Sequence, residues 1–173
     1  MTEQTTQKKY ELLKDDTVEH FGTTLYRIKA LITFGLVGAG QLGGYIETEK
    51  NLDHSGNAWV YDNALVYGDA RVYGNARVFG NAWMCGNARV FGNAWVRSFA
   101  VISERKMIFW ASNVGSENGT LTVSNGKFGL IVTRGCFTGT VDEFLSKSKE
   151  VHDDKTHHEY KLLIEVAQSR ILN

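Results

Sequence analysis

The chain has 173 residues, enough for one central fold with small flanking modules, and its 19 basic and 19 acidic side chains leave no net charge. This balance argues against a broad nucleic-acid-binding surface and against a DNA mimic, so neither DNA nor RNA is an expected partner. The two cysteines, Cys85 and Cys136, make no disulfide framework, and no apolar run reaches the length of a membrane span. We therefore expect a cytoplasmic protein without membrane contact.

The N-terminal sequence predicts a flexible tail and then a β cap. Residues 1–8 are polar, as frayed termini are. Tyr10–Leu13 and Thr23–Leu31 alternate polar and apolar residues as half-buried strands do, and Lys14–Asp16 between them has the composition of a turn. Five glycines follow within ten positions, which favours a tight backbone path rather than a phosphate loop. We predict that residues 9–55 cap the open end of the next segment.

A repeat of six residues, here called a hexad, fills residues 56–103 without a gap. The third residue of each hexad is Ala, and the fifth is Val, Met or Ile. Residues two apart, such as Ala58 and Val60, point to the same side of a strand, whereas Gly-Asn or Gly-Asp supplies a corner. Three hexads would close a triangular coil, and about 2.7 such coils would stack so that each strand pairs one coil away. A strict period of six does not fit a helix.

These hexads resemble the hexapeptide-repeat proteins that form a left-handed parallel β-helix. They look more closely like small phage and prophage proteins with Val-Tyr/Phe-Gly-Asn-Ala-x repeats. Leu42–Glu47, Trp59–Asp62 and Gly135–Thr140 are similar to that group too, so the resemblance covers most of the chain from about Tyr10. It implies a left-handed coil, commonly a homotrimer, and a phage-encoded protein in the host bacterial cytoplasm. It implies a fold rather than an activity.

The outward residues of the hexads define three faces, because residues eighteen apart share a side of the triangle. Face one carries Trp59, Tyr61, Arg77, Phe79, Trp95 and Arg97; face two carries Leu65, Tyr67, Trp83, Cys85, Val101 and Ser103; face three carries Arg71, Tyr73, Arg89 and Phe91. Face two has no charge, so we expect it to be buried against another subunit or a flanking module. On face one, Arg77 between Trp59 and Trp95 predicts a cation–π ladder.

Residues 104–173 predict a C-terminal α+β module. Lys106–Ser112, Leu121–Val123 and Phe128–Thr133 read as strands, and Asn125-Gly126 is a strong hairpin signal before the last of them. The fold class predicted for the whole chain is therefore mainly β: a parallel β-helix with an N-terminal β cap and this module.

Two helices are expected at the end of the module. Thr140 with Glu143 predicts a capping box at the start of the first helix, and Thr156 with Glu159 predicts one at the start of the second. The second helix carries an apolar stripe at helical spacing, formed by Tyr160, Leu163, Ile164, Ala167 and Ile171. We expect this stripe to contribute to the core or to a trimer contact.

The sequence lacks the residues that enzymes of the resembled architecture use. Hexapeptide acyltransferases typically need a catalytic His at the subunit cleft, and the metal-dependent hydratases need three His on the coils. No His lies between Ser55 and Val151, and no loop interrupts the coils to hold a pantetheine arm. We therefore expect no catalytic residue and no cofactor, and an acyltransferase-like enzyme remains the second alternative.

Two further reactive groups favour structural interpretations. His152, Asp153, Asp154, His157 and His158 form a candidate metal cluster, but their place in a helix connection favours a solvated loop, so no metal is expected. Cys136 has no nearby base in the sequence, so a small buried thiol is favoured over a nucleophile.

Two classes of function remain. In the first, a rigid homotrimer sequesters a small anionic, nucleotide-derived immune signal in clefts between subunits and so counters host defence. In the second, the protein is a structural trimer or a trimer that binds a host protein. Arginine pairs with phosphate and an aromatic ring accepts a base, which selects six candidate ligand-binding residues: Arg71, Tyr73, Arg89, Phe91, Arg134 and Phe137.

Overall fold

The structure, a computed structural model, describes residues 7–173 and is mainly β, with a β-solenoid of about three turns and a C-terminal helical region. The predicted tail, residues 1–8, lies outside the described residues except for its last two positions. The N-terminal strands are β1 (Tyr10–His20), β2 (Thr23–Ala30) and β3 (Leu42–Ile46). The solenoid strands are β4 (Trp59–Val60), β5 (Leu65–Val66), β6 (Arg71–Val72), β7 (Arg77–Val78), β8 (Trp83–Met84), β9 (Arg89–Val90), β10 (Trp95–Val96) and β11 (Val101–Ile102).

The solenoid coils stack in the register that the hexads predict. Trp59 pairs with Arg77 and Arg77 with Trp95 in parallel, and the neighbouring residues Val60, Val78 and Val96 follow the same order. The Ala and aliphatic positions of every hexad are buried at 0–1% exposure. The predicted stacking of these three valines inside one wall is therefore confirmed.

The corners need residues that tolerate the left-handed backbone region. Gly86, with φ of 57°, is the tightest corner, because a Cβ built on it would overlap the carbonyl oxygen of Ser103 one coil away. Asp62 and Ser98 replace glycine at two corners and adopt φ of 54° and 60°. The Asp62 carboxylate offsets part of this cost by accepting a hydrogen bond from the Gly80 amide at 3.0 Å.

The N-terminal strands extend the face-two sheet, whose order is β1-β2-β3-β5-β8-β11. The turn predicted at Lys14–Asp16 is wrong, because β1 runs through it and only the pairing register shifts between Leu13 and Thr17. The real turn is Phe21-Gly22, where both residues have positive φ as a two-residue hairpin turn requires. Strand β3 thus pairs with β5 and covers the backbone groups that the first coil would otherwise leave unpaired on this face, and β2 of the hairpin pairs with the other edge of β3.

Residues 125–127, for which the sequence predicts a hairpin turn, cover the opposite end of face two. Asn125 accepts a hydrogen bond from the Val101 amide through its backbone oxygen, and its side-chain amide donates to the Val101 oxygen, both at 2.9 Å. Lys127 N donates to Phe99 O at 2.9 Å. The strand predicted from Phe128 begins only at Ile131, because residues 125–127 pair with the last coil instead.

The C-terminal module is a four-stranded antiparallel sheet covered by two helices. Its strands, in spatial order, are β12 (Ile108–Val114), β13 (Gly119–Ser124), β14 (Ile131–Arg134) and β15 (Phe137–Gly139). Helix α1 is Val141–Val151 and helix α2 is Asp154–Leu172. Their buried residues join Leu121, Val123 and Val132 in a second core, separate from that of the solenoid.

The helix caps agree with the sequence for α1 and differ for α2. Thr140 is the N-cap of α1 as predicted and accepts a hydrogen bond from the Glu143 amide at 3.1 Å, but the reciprocal bond of a capping box, to the Glu143 side chain, is not found within residues 7–173. The cap predicted at Thr156 is wrong, because Asp153 is the N-cap and accepts from the Thr156 amide at 2.8 Å. A carboxylate also interacts favourably with the helix dipole, which explains why the earlier residue is used. Across residues 7–173, neither helix has the combination of length and apolarity needed to cross a membrane.

Candidate functional site

A cleft of about 680 Å³, here called the arginine cleft, lies between face three and the C-terminal module. The solenoid contributes Arg89 and Phe91. The module contributes Arg105, Ile108, Phe109, Trp110, Val166 and Arg170. One wall of the arginine cleft therefore belongs to the repeat, and the other belongs to the C-terminal module.

The aromatic groups of the arginine cleft are held by contacts along and beyond the repeat. Tyr73 and Phe91, one coil apart, stack with centroids 4.8 Å apart and planes within 10°. Trp110 of β12 meets Phe91 edge-on at 4.7 Å and 89°. The indole nitrogen of Trp110 also lies against the corner at Gly92, where a Cβ would come within 3.2 Å of it. Phe91 itself remains 36% exposed, so its ring is accessible from the cleft.

The electrostatics of the arginine cleft are those of an anion site. Arg89 extends from β9, Arg105 from the 3₁₀ turn Arg105–Met107, and Arg170 from the last turn of α2. No acidic residue lines the cleft, and none of the three guanidinium groups forms an ion pair within 4.0 Å with another residue of the described range 7–173. Three positive charges thus face one cavity without compensation.

The six residues selected from the sequence do not all come together. Arg71 and Arg89 pair across β6 and β9, and Tyr73 stacks on Phe91, so four of them share face three. Arg134 belongs to β14, where it lines a different cleft, and Phe137 packs against Phe144 at 5.4 Å in the second core. Of the six, only Arg89 and Phe91 line the arginine cleft, and Arg105 and Arg170 of the module line it with them.

A second cleft of about 430 Å³, here called the asparagine groove, lies beside face one. The solenoid wall is formed by Asn57, Asn75, Arg77, Asn93 and Trp95, and the module adds Gly119, Thr120, Arg134 and Gly135. The three asparagines occupy the same corner of three successive coils. Arg134 Nε donates a hydrogen bond to the hydroxyl of the buried Tyr160 at 3.0 Å, which fixes the guanidinium at the edge of the groove.

The cation–π ladder predicted on face one is only partly correct. Arg77 lies 5.3 Å from the Trp95 ring, and Arg97 lies 4.6 Å from the same ring. Trp59, at the other end of the ladder, is completely buried because Phe34 and Tyr10 of the N-terminal cap pack on it. Burial and the neighbouring Arg77 lower the pKa of Arg97, whereas Cys136 acts in the opposite direction.

Of the candidate metal residues, only His152 and Asp153 lie in the helix connection; the solvated loop expected there is wrong for the other three, which belong to α2. Asp153 caps α2, and the Nδ1 atom of His157 lies 3.1 Å from the Ser148 hydroxyl of α1. The ring of His152 lies 5.5 Å from that of Tyr160. The contact between His157 and Ser148 joins the two helices. Cys136 is exposed in the turn between β14 and β15, so the buried thiol expected there is wrong.

Face two is partly covered by its own chain. The tip of the β1–β2 hairpin places the rings of His20 and Phe21 at 4.5 Å and 6.1 Å from Trp83. Burial there lowers the pKa of His20. Phe21 and Phe128 nevertheless stay 84% and 81% exposed, so this side of the molecule keeps an apolar surface.

Sequence reasoning missed Arg105, Trp110 and Arg170. Arg105 and Trp110 follow the last hexad outside any pattern, and Arg170 is an ordinary exposed residue of an amphipathic helix. They line the candidate site only because the module packs beside face three, and the sequence of the repeat does not predict where the module packs.

The comparisons with known proteins bear on the solenoid alone. The family model described as YdcK beta solenoid repeat matches residues 70–86 and 84–98. These residues contain strands β6 to β10, so the match agrees with the coil seen in the structure. No curated protein matches the chain.

Proposed function

We propose that this protein captures a small anionic, nucleotide-derived ligand in the arginine cleft without converting it. The observation that carries the proposal is the convergence of Arg89, Arg105 and Arg170 on one cavity beside the accessible ring of Phe91. Guanidinium groups pair phosphate oxygens in bidentate fashion, and an aromatic face accepts a base. Together these groups match the two parts of a nucleotide.

The lining of the cleft supports binding rather than catalysis. It consists of arginine, aromatic and aliphatic side chains, none of which is a nucleophile or a general base near neutral pH. A site built only from these groups can hold an anion but offers no group for its chemical conversion. Sequestration requires nothing more.

The resemblance of the hexads to hexapeptide-repeat proteins extends the proposal to the assembly. We expect a left-handed coil and a homotrimer, with a neighbouring subunit closing the open side of each arginine cleft. A closed trimer then offers three equivalent sites. Phage origin and action in the host bacterial cytoplasm follow from the same resemblance, and they make an immune signal of the host the expected ligand.

The alternative function is a trimer that binds a host protein. The exposed rings of Phe21 and Phe128, at 84% and 81%, favour it, because isolated proteins rarely leave large aromatic side chains so accessible in one region. This alternative needs no ligand in the arginine cleft.

The test is a thermal-shift screen with cyclic di-GMP, cyclic di-AMP and ADP-ribose. A ligand at a hundredfold excess over its Kd stabilises the folded state by about 2.7 kcal/mol, which raises the melting temperature measurably. The rise should disappear in Arg170→Gln. It should persist in the control Lys161→Gln, which removes a positive charge from an exposed position of the same helix.

The bound nucleotide should then be recovered by heating and identified by mass spectrometry. Recovery of the intact molecule supports capture, whereas recovery of a cleaved product would make the protein an enzyme. The absence of any shift, combined with a tight complex to a host protein, would replace this proposal by the alternative.

A further inference from the structure

The asparagine groove contains a regular ladder of side-chain amides. Asn57, Asn75 and Asn93 stand at the same corner of successive coils, and the strands they precede are spaced as neighbouring β-strands, about 4.8 Å apart. Their backbone amides are largely used within the solenoid, since Asn57 N donates to Gly74 O and Asn75 N to Gly92 O at 3.0 Å. Among the side chains, Asn75 Nδ2 and Asn93 Oδ1 make a long contact of 3.4 Å. The ladder therefore keeps donors and acceptors available to a ligand.

The opposite wall of the groove carries a fixed and poorly compensated charge. The Arg134 side chain is 14% exposed and is anchored through Nε by Tyr160. Its terminal nitrogen Nη2 lies 3.7 Å from Glu117, whose side chain is 82% exposed and well hydrated. A Cβ at Gly119 would lie only 2.6 Å from the Arg134 guanidinium carbon, so this glycine makes room for the group. An exposed partner at this distance contributes little, and the charge remains available to an anion.

Trp95, the only aromatic residue of the groove lining, has two guanidinium groups near its ring. Arg77 and Arg97 lie 5.3 Å and 4.6 Å from its centroid. Stacking of a nucleobase on this ring would have to displace one of these contacts, whereas within residues 7–173 no cation forms a cation–π contact with the ring of Phe91 in the arginine cleft. The groove therefore suits ligands that hydrogen-bond along their length better than ligands that stack.

From this arrangement we infer that the asparagine groove is a second binding site, specific for a polyhydroxylated anion of the sugar-phosphate class. Arg77 and Arg134 hold the phosphate from the two walls, and the amides of Asn57, Asn75 and Asn93 hydrogen-bond the hydroxyl groups. The inference is independent of ligand capture in the arginine cleft, because the two lining sets share no residue.

The experiment is titration calorimetry of the full chain with glucose 6-phosphate, inorganic phosphate and glucose. Glucose 6-phosphate should bind more tightly than either of the other two, because only it engages both the arginines and the amide ladder. In Arg77→Gln the Kd for glucose 6-phosphate should rise about tenfold or more, the size expected for a lost charge-assisted hydrogen bond. Asn75→Ala should raise it less, and Lys161→Gln should leave it unchanged.

Arg77 and Asn75 lie at the surface of the solenoid, so both variants are expected to fold, and their circular dichroism spectra would show it. Equal affinity for inorganic phosphate and glucose 6-phosphate would overturn the inference, since the amide ladder would then contribute nothing. Equal affinity of Arg77→Gln and Lys161→Gln would overturn it as well. A parallel titration with ADP-ribose and Arg89→Gln reports separately on the arginine cleft.

Discussion

The solenoid and the C-terminal module bury their cores by different means. In the solenoid, the same two positions of every hexad supply Ala and an aliphatic residue, and stacking repeats these contacts from coil to coil. In the module, residues without a period meet once each, as when Phe144 packs against Tyr160 at 5.2 Å. The first core can be extended by adding coils, whereas the second is specific to one arrangement of sheet and helices.

Both clefts lie where these two regions meet. The arginine cleft combines Arg89 and Phe91 of the repeat with Arg105, Trp110 and Arg170 of the module. The asparagine groove combines a corner of the repeat with residues around Gly119 and Arg134. The repeat supplies a regular wall, and the irregular module turns part of that wall into a cleft.

The largest effect is expected from a charge inside the repeat. Val78 is completely buried between Val60 and Val96, so Val78→Asp should lower the free energy of unfolding by more than about 3 kcal/mol. Denaturant unfolding followed by circular dichroism measures this. Asn87→Asp places the same carboxylate at an exposed corner and should change stability by less than about 0.5 kcal/mol. Similar losses in both variants would show that the repeat interior does not dominate stability.

The next effect separates backbone conformation from close packing at the corners. Gly68 and Gly86 both have positive φ, at 64° and 57°, but a Cβ at Gly68 would lie 3.4 Å from its nearest neighbour, whereas one at Gly86 would overlap Ser103. Gly68→Ala should cost about 1–2 kcal/mol for the left-handed backbone. Gly86→Ala should cost at least about 1 kcal/mol more, because the coils must move apart. Equal costs in thermal unfolding would mean that coil spacing adapts freely.

The sequence predicts the solenoid well, because its rules are local and repeated eight times. Periodicity alone identifies the buried positions Ala58 and Val60, and it also identifies the sharing of face three by Arg71 and Arg89. It fails at single events: the register shift that carries β1 through Lys14–Asp16, and the pairing of Asn125 with the last coil. Each of these depends on contacts between distant segments, which no local pattern encodes.

The same reasoning explains the outcome for the candidate site. The residues on the solenoid wall of the arginine cleft can be predicted from the sequence, because Arg89 and Phe91 belong to the repeat. Arg134 and Phe137 were grouped with them only by residue type. Their separation from face three follows from the fold of the module, since Arg134 is directed by Tyr160 toward the asparagine groove.

A smaller effect concerns the N-terminal cap, which joins the first coil through a buried lysine. Lys9 is 1% exposed, its Nζ donates to Ala58 O at 2.8 Å, and burial lowers its pKa to about 8 despite the opposing influence of Asp53. The folded-state pKa thus lies below the ordinary value of 10.5, so the unfolded chain binds more protons between these two values. The contribution of Lys9 to stability should therefore rise as pH increases above about 8.

The variant Lys9→Met tests this, because it should show a smaller rise in the free energy of unfolding between about pH 7 and pH 9.5 than the unmodified protein. Burial raises the pKa of Tyr10, whose ionisation in the unfolded chain would obscure the effect at higher pH. Lys161→Met removes an exposed lysine and should leave the pH profile unchanged. Identical profiles for all three proteins would show that the Lys9 ammonium group is not destabilised by burial.

We propose that repeat and module together form one nucleotide-binding cleft, and a paired binding measurement tests this proposal most directly. Titration calorimetry with cyclic di-GMP, cyclic di-AMP and ADP-ribose would compare Arg89→Gln on the solenoid wall, Arg170→Gln on the module wall and the control Lys161→Gln. We predict that Arg89→Gln and Arg170→Gln each raise the Kd of the bound nucleotide by about tenfold or more, while the control does not. A normal Kd in Arg170→Gln together with a raised Kd in Arg89→Gln would contradict the shared cleft, and unchanged Kd values in both would exclude it as the site.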